Sequence, residues 1–185
     1  MASVLVPLAQ GCEELEAVTI TDLLTRAGIN VVTAGLDDKP VKASRGMVLI
    51  PDHNLDDVMD QAFDMIVLPG GLPGADHLNA DLRIHQIIKK LNDQDKYTAA
   101  ICAAPRVLAS AGLLDNKKAT SFPGALDGFE TSNMTYQESA VVVDDKVITS
   151  RGPGTAMDFA LTLIEQLLGK AKRDEVEAAL QRQTF

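Results

Sequence analysis

The sequence predicts an α/β fold with a mostly parallel central sheet, helices on both faces and a small β-hairpin. Short runs rich in Val, Ile and Leu alternate with helical patterns along the chain, which is typical of such sheets. The first strand, helix and strand fit the roughly 30 residues of a right-handed βαβ unit. With 185 residues, the chain is predicted to form a single domain over 1–185.

The first half of the chain contains three predicted core strands. Residues 3–8 are an apolar run, 30–35 are rich in valine, and 64–68 are continuously apolar, as in a fully buried strand. A helix over 14–27 has leucine and valine at helical spacing and ends at Gly28. The remaining predicted elements are a hairpin-like excursion at 41–51, a short helix at 56–59 and a helix at about 80–91.

The second half repeats the alternation. A buried strand over 97–101 precedes a helix over 103–114 that carries a proline in its first turn. Strands at 140–143 and 147–149 flank Asp144-Asp145-Lys146, which indicates a hairpin. The other predicted elements are a small strand at 119–122, an irregular polar segment at 127–138, a helix at 156–168 and a last amphipathic helix at 174–183.

Composition and charge exclude several classes of protein. Hydrophobic residues make up 46% and charged residues 23%, as in an ordinary folded protein. The net charge of −9 argues against stable nucleic-acid binding, which needs clustered Lys and Arg. The sequence shows neither a signal peptide nor an apolar run long enough to span a bilayer, so no membrane partner is expected. The two cysteines, Cys12 and Cys102, are expected to be free thiols in a reducing cytoplasm.

Cys102 stands where the apolar strand stops and the next helix begins. At such a turn the side chain faces the free N–H groups of a helix N-terminus, which favour the thiolate over the thiol. The pattern therefore predicts a reactive cysteine. The alternative is a buried cysteine that acts as a small hydrophobe.

A glycine-rich loop, Pro69-Gly70-Gly71-Leu72-Pro73-Gly74, follows the strand at 64–68. It lacks the spacing of a dinucleotide-binding motif and the Lys-Ser/Thr ending of a P-loop. It is either a simple tight turn or a ligand-binding loop with exposed backbone N–H groups at the carboxyl end of a parallel strand.

Four stretches in this order resemble the ThiJ/PfpI superfamily, and within it the DJ-one branch with its YajL-like bacterial members. They are Gly11 to Glu16, Val67 to Gly71, Ala99 to Pro105 and Ser150 to Thr155. The resemblance implies a flavodoxin-like three-layer sandwich, a homodimer, Cys102 as nucleophile and Glu16 as the carboxylate beside its sulfur. Because two negative charges there would raise both pKa values, the pair is expected to share a proton held on Glu16.

Further roles follow from this resemblance and from position. Gly71 and Ala103 are candidate backbone donors to an oxyanion, because one lies on the glycine loop and the other follows the nucleophile. Gly70, Arg45, Arg151 and Phe122 are candidate substrate-binding or supporting residues, although each arginine could instead form a surface salt bridge. Glu13 and Glu14 are expected to be acidic residues in the first turn of a helix.

Many relatives have a histidine either directly after the nucleophilic cysteine or at the position that matches Phe122. This chain has Ala103 and Phe122 at these two positions. The histidines at 53, 77 and 85 have no metal-ligand spacing, so neither a Cys-His triad nor a metal is predicted.

The leading functional hypothesis is a cofactor-independent deglycase or glyoxalase. Its predicted substrates are methylglyoxal, glyoxal or their early adducts on proteins or nucleotides, and it would release lactate or glycolate. The alternative is a redox-sensing chaperone in which Cys102 is oxidised to sulfinic acid and the dimer protects unfolded protein clients.

Overall fold

A seven-stranded sheet forms the middle layer of the protein, and the computed structural model describes residues 1–182. Its strand order is β10-β11-β7-β6-β1-β2-β5, and the β10–β11 hairpin is its one antiparallel pair. The strands are β1 Ser3–Leu8, β2 Asn30–Gly35, β3 Val41–Lys42, β4 Val48–Leu49, β5 His53–Asn54, β6 Met65–Leu68, β7 Tyr97–Ile101, β8 Lys118–Ala119, β9 Thr135–Tyr136, β10 Val141–Asp144 and β11 Val147–Ser150.

Helices cover both faces of this sheet. They are α1 Glu14–Arg26, α2 Gly74–Ala80, α3 Leu82–Asp93, α4 Pro105–Ser110, α5 Ala156–Leu168 and α6 Lys170–Ala179, with 3₁₀ turns at Leu55–Val58 and Pro153–Thr155. One apolar core lies between the sheet and α1, α5 and α6, and the other lies between the sheet and α2, α3 and α4. Alternation along β1 shows the division, because Val4 and Val6 face the first core and Leu5 faces the second. The predicted three-layer α/β fold is confirmed.

Both predicted hairpins are present. Val41–Lys42 pairs antiparallel with Val48–Leu49, apart from the main sheet. Strands β10 and β11 form the second hairpin, and β11 also pairs parallel with β7, so this hairpin forms one edge of the main sheet.

Two predicted helices have different bounds. The helix predicted at about 80–91 is α3, Leu82–Asp93, and helix α2, Gly74–Ala80, was not predicted. The two helices are separated at Asp81, whose backbone is extended and whose side chain accepts a hydrogen bond from the backbone N–H of Arg83. This Asp caps a new helix and so ends the previous one. The helix predicted at 103–114 covers only Pro105–Ser110, and turns follow it.

Several short elements differ from the prediction. Residues 119–122 do not form one strand; β8 ends at Ala119 and pairs with β9, which lies within the segment predicted to be irregular. Strand β5 was not predicted, because a two-residue strand is too short to show a period. The C-terminal helix begins at Lys170 and ends at Ala179, and Gln183, the last residue of the predicted helix, lies outside the described residues.

Across residues 1–182, every helix is too short or too polar to cross a membrane.

Candidate functional site

Cys102 occupies a strained turn at the carboxyl end of β7. Its φ of 63° lies in the left-handed region, which costs about 1–2 kcal/mol for a residue with a Cβ. Two backbone hydrogen bonds hold the turn: the Cys102 N–H donates to the Ser150 carbonyl at 3.0 Å, and the Phe122 N–H donates to the Cys102 carbonyl at 2.9 Å. The residue is 9% exposed, and it lines a surface cavity.

Glu16 reaches the same point from the first turn of α1. It is fully buried, and its Oε2 accepts a hydrogen bond of 2.8 Å from the Gly70 N–H. Its Oε1 is buried with no hydrogen-bond partner, and the carboxyl group adjoins the Cys102 thiol. An ionised oxygen would be costly in this place, whereas a protonated carboxyl can direct its O–H toward the sulfur.

Gly70 lies where these two side chains meet. A Cβ on Gly70 would lie 2.6 Å from the Cys102 Cβ and 2.8 Å from Glu16 Oε2. These distances are well inside van der Waals contact, so a side chain at position 70 would push the two groups out of place. The glycine loop thus lets the Cys102 thiol and the Glu16 carboxyl group approach each other.

Burial dominates the protonation of both groups. It raises the pKa of Glu16 to about 7, against which the Gly70 N–H and Cys102 act more weakly. Burial, and after it the negative charge of Glu16, raises the pKa of Cys102 to about 12, while the backbone N–H groups of Gly71 and Ala103 lower it. A proton on Glu16 removes that negative charge and supplies a donor, so the two groups favour one shared proton.

The expected effect of a helix N-terminus on Cys102 needs correction. Helix α4 begins at Pro105 and has six residues, so it is shorter than predicted and starts further from the sulfur. The pKa of the Cys102 thiol is raised, not lowered, and burial is the first cause. Thiolate formation therefore depends on Glu16 and the two backbone N–H groups rather than on the helix alone.

The cavity beside Cys102 has a volume of about 440 Å³ and brings together most of the predicted site residues. Gly71, Ala103, Arg45 and Phe122 line it, whereas Gly70 lies behind them against Glu16. Phe122 is 51% exposed at the rim. The other residues that line the cavity are Glu13, Ser44, Leu72, Arg106, Pro123, Gly124, Ala125 and Pro153.

Arg151 does not line this cavity. It lies in an adjoining cavity of about 370 Å³, which shares Pro123 and Gly124 with the first. Its guanidinium donates to the Glu138 carbonyl at 3.3 Å. Arg151 is therefore separated from Cys102 by the 123–124 turn.

Two glutamates have roles that sequence reasoning missed. Glu13, expected on the surface of a first helical turn, is 7% exposed, lines the Cys102 cavity and accepts a hydrogen bond from Ser44 Oγ at 2.8 Å. Glu14 accepts hydrogen bonds from the backbone N–H groups of Arg45 and Met47. Its carboxylate therefore holds the β3–β4 turn, and with it Arg45, at the cavity. The run of three acids in Glu13-Glu14-Leu15-Glu16 was a signal that could have found both.

The histidines lie away from this site. His53 is in β5, His77 is in α2 and His85 is in α3, and none of them lines the Cys102 cavity. Over the described range 1–182, no group of three or more His, Cys, Asp or Glu side chains could hold a metal ion.

Comparison with known proteins decides the family. A family model described as the DJ-1/PfpI family matches residues 2–166. The chain belongs to the DJ-1/PfpI family. The predicted resemblance is thereby confirmed, and the Cys102 turn and the Gly70-Gly71 loop lie within the matched residues.

Relatives in this family support the match. The chain is 43% identical over 180 residues to the Arabidopsis thaliana protein DJ-1 homolog A, covering 96% of this chain and 46% of that protein, so it spans about half the length of that relative. It is 36% identical to the Caenorhabditis elegans glutathione-independent glyoxalase DJR-1.2, covering 95% of this chain and 92% of the relative. Oxidised Toxoplasma gondii DJ-1 has a TM-score of 0.94 and 39% identity, with 100% of both chains covered.

Proposed function

We propose that this protein is a glutathione-independent glyoxalase that converts small dicarbonyls into hydroxy acids, with Cys102 as nucleophile and Glu16 as proton carrier. The observation that carries the proposal is the meeting of a strained cysteine, a buried carboxyl group of raised pKa and two backbone N–H groups at one cavity. A family relative of 36% identity named as such a glyoxalase adds support.

The first step of the proposed reaction is addition. The Cys102 thiolate forms a C–S bond with the aldehyde carbon of methylglyoxal, and the carbonyl electron pair moves to oxygen. The backbone N–H groups of Gly71 and Ala103 face the sulfur and are placed to stabilise that oxyanion. The proton of Glu16 then neutralises it, which gives a hemithioacetal.

Proton transfer by Glu16 completes the change within the substrate. The Glu16 carboxylate removes the proton from the former aldehyde carbon, and a proton is returned to the neighbouring ketone carbon. The hydroxyl proton on the former aldehyde oxygen moves to the former ketone oxygen, so that the first carbon becomes a carbonyl and the second carries a hydroxyl group. The product is a thioester of lactate on Cys102, which water cleaves to release lactate and the thiol. One carbon is oxidised and its neighbour is reduced, so the reaction needs no external electron acceptor.

Lactate formation from methylglyoxal without glutathione tests this proposal. We expect Cys102→Ala to abolish turnover and Glu16→Gln to reduce kcat by about a hundredfold or more, as for loss of a general acid or base. Cys12→Ala and Glu165→Gln are the matched controls, because they remove the same groups elsewhere and are expected to retain activity. Unchanged turnover in Cys102→Ala would reject the mechanism.

Deglycation of early adducts is a finer form of the same proposal. The cavity is open and has an exposed Phe122 and Leu72 at its rim, which leaves space for a side chain that carries the dicarbonyl. The test compares the rate of lactate release from a peptide adduct with the rate at which that adduct releases free methylglyoxal. A faster enzymatic rate supports direct action on the adduct, and an equal rate shows that only the free dicarbonyl is consumed.

A redox-sensing chaperone is the second candidate. Cys102 lines a surface cavity beside a carboxyl group that can donate to an oxidised sulfur, and the similar Toxoplasma protein was solved in an oxidised form. Stoichiometric peroxide distinguishes the two candidates. A sensor gains protection of an aggregating client protein as Cys102 becomes sulfinic acid, whereas an enzyme only loses turnover.

We also propose that the protein forms a homodimer through α1 and the β3–β4 hairpin. Leu15 and Val18 are 50% and 45% exposed on α1, and Met47 and Val48 are 58% and 59% exposed on the hairpin. The Glu14 hydrogen bonds join these two elements, so the four side chains belong to one surface. Exposed large apolar side chains grouped on one surface favour a contact with another protein chain. Sedimentation equilibrium of the protein and of Val18→Asp tests this, and a monomeric parent protein would contradict it.

A further inference from the structure

Arg106 contacts three of the elements that surround Cys102, although it makes no bond to the sulfur itself. Its Nε donates to the Ala103 carbonyl at 3.1 Å, and its Nη1 donates to Asp76 Oδ1 at 2.7 Å. Its guanidinium also lies over the Phe129 ring, 5.6 Å from the ring centre. The Arg106 side chain is 15% exposed, whereas its partner Asp76 is 55% exposed.

Two of these contacts connect Arg106 to Ala103 and Gly71, the residues whose backbone N–H groups face the Cys102 sulfur. Ala103 is bound directly through its carbonyl. Gly71 is reached through α2, because its carbonyl accepts a hydrogen bond of 2.8 Å from the Ala75 N–H, next to Asp76. One planar guanidinium thus connects both sides of the Cys102 turn, which an ammonium group cannot do with the same geometry.

We propose that Arg106 is a positioning residue that fixes the Ala103 and Gly71 backbone N–H groups around the Cys102 sulfur. With the guanidinium in place, both N–H groups favour the thiolate and the oxyanion that follows from it. Without it, the turn and α2 lose their shared contact and the two donors are held less tightly. The contact of the guanidinium with the Phe129 ring also links Arg106 to the chain segment that follows Phe122, which lines the cavity.

The matched control for this arrangement is Arg83. Like Arg106, it donates to carboxylate and backbone carbonyl oxygens; its partners are Asp56, Asp81 and the Leu36 carbonyl. Unlike Arg106, it does not line the Cys102 cavity. Its side chain is 27% exposed. Arg83→Lys therefore removes a similar guanidinium network at a distance from the nucleophile.

The experiment measures the rate of Cys102 alkylation by iodoacetamide as a function of pH, with the modified cysteine quantified by mass spectrometry. We expect Arg106→Lys, which keeps the charge, to slow alkylation at pH 7 about tenfold and to shift the rising part of the profile toward higher pH. Asp76→Asn, at a half-exposed position that folding tolerates, is expected to act in the same direction with a smaller shift. Arg83→Lys should keep the parent profile.

A parent-like profile in both Arg106→Lys and Asp76→Asn would overturn the proposal. A shift in Arg106→Gln with none in Arg106→Lys would also overturn it, because charge rather than positioning would then be responsible. The kinetic part of the test rests on the proposed glyoxalase function, and there we expect kcat to fall about tenfold with KM within about twofold. Absence of turnover in the parent protein would reject that function while leaving the alkylation result to decide the role of Arg106.

Discussion

Two cysteines occupy comparable places in this fold and have different surroundings. Cys12 lies between β1 and α1, and Cys102 lies between β7 and α4, so each follows a parallel strand and precedes a helix. Burial raises the pKa of both thiols, to about 11 for Cys12 and about 12 for Cys102. Neither the strand–turn–helix pattern nor the direction of the pKa shift therefore distinguishes Cys102 from Cys12.

Backbone geometry and partners make the difference. Cys102 has a positive φ, is 9% exposed and lines a cavity, whereas Cys12 is fully buried and lines no cavity described for residues 1–182. Cys102 has two N–H groups from other residues and a carboxyl group of raised pKa beside it. Cys12 has its own backbone N–H and three nearby glutamates that oppose its ionisation. Cys102 therefore differs from Cys12 in its left-handed backbone conformation, its position at an open cavity, and the neighbouring Glu16 carboxyl group, which can be protonated.

The largest expected effect comes from removing the close approach at Gly70. In Gly70→Ala, the new Cβ would lie 2.6 Å from the Cys102 Cβ, so the nucleophile and Glu16 must separate. We expect Cys102 alkylation and turnover to fall by about a hundredfold or more, because displacement of about 1 Å can cost that much. Gly154→Ala is the control, since a Cβ there meets nothing within 4 Å and its backbone, like that of Gly70, has no positive φ. Equal alkylation rates in the two variants would show that the contact at Gly70 is unimportant.

A second effect concerns the pH dependence of stability. Burial raises the pKa of Glu16 from 4.5 to about 7, so the folded protein holds this proton more tightly than the unfolded chain. The stabilisation is fully present below pH 4.5 and is lost as the pH rises through 7. The loss from this group is roughly 3 kcal/mol at 1.36 kcal/mol per pKa unit. Urea unfolding of the protein and of Glu16→Gln across this range measures it. Parallel stability curves would mean that Glu16 does not carry the proton.

A third effect reverses between the two cysteines. At position 102 the positive φ favours glycine, so we expect Cys102→Gly to be more stable than Cys102→Ala by about 1 kcal/mol. At position 12 the backbone has no positive φ, so Cys12→Gly should be less stable than Cys12→Ala by about 0.5–1 kcal/mol. Free energies of unfolding for the four variants test this. If the Gly and Ala variants rank in the same order of stability at both positions, the backbone at Cys102 is not strained.

The smallest effect separates the two arginines predicted near the site. Arg151 lies in the adjoining cavity, so Arg151→Gln should leave kcat and KM for methylglyoxal within about twofold. Arg45 lines the Cys102 cavity, and Arg45→Gln should raise KM severalfold. Steady-state kinetics of both variants measure these effects. A larger effect of Arg151→Gln than of Arg45→Gln would show that the substrate also contacts the adjoining cavity.

The periodicity of apolar residues was enough to predict most of the sheet and its helices. It did not predict helix α2, because a helix of seven residues directly after a glycine-rich loop is too short to show the helical period clearly. The position of Cys102 at a turn after a strand could be predicted, because an apolar run stops at this residue. The pairing with Glu16 came from the family resemblance, since spacing alone does not say which of three neighbouring glutamates faces the core. Arg106 was missed because its partner Asp76 lies 30 positions away in the chain.

The bond between the Cys102 N–H and the Ser150 carbonyl has a consequence for protein synthesis. The turn of the nucleophile is held by a strand that the ribosome makes almost 50 residues later, and Glu16 lies on a helix that packs against the still later α5. Because these contacts are distant in sequence, they form only after most of the chain has emerged. A nascent or truncated chain that ends before Ser150 therefore carries Cys102 as an ordinary, unsupported thiol.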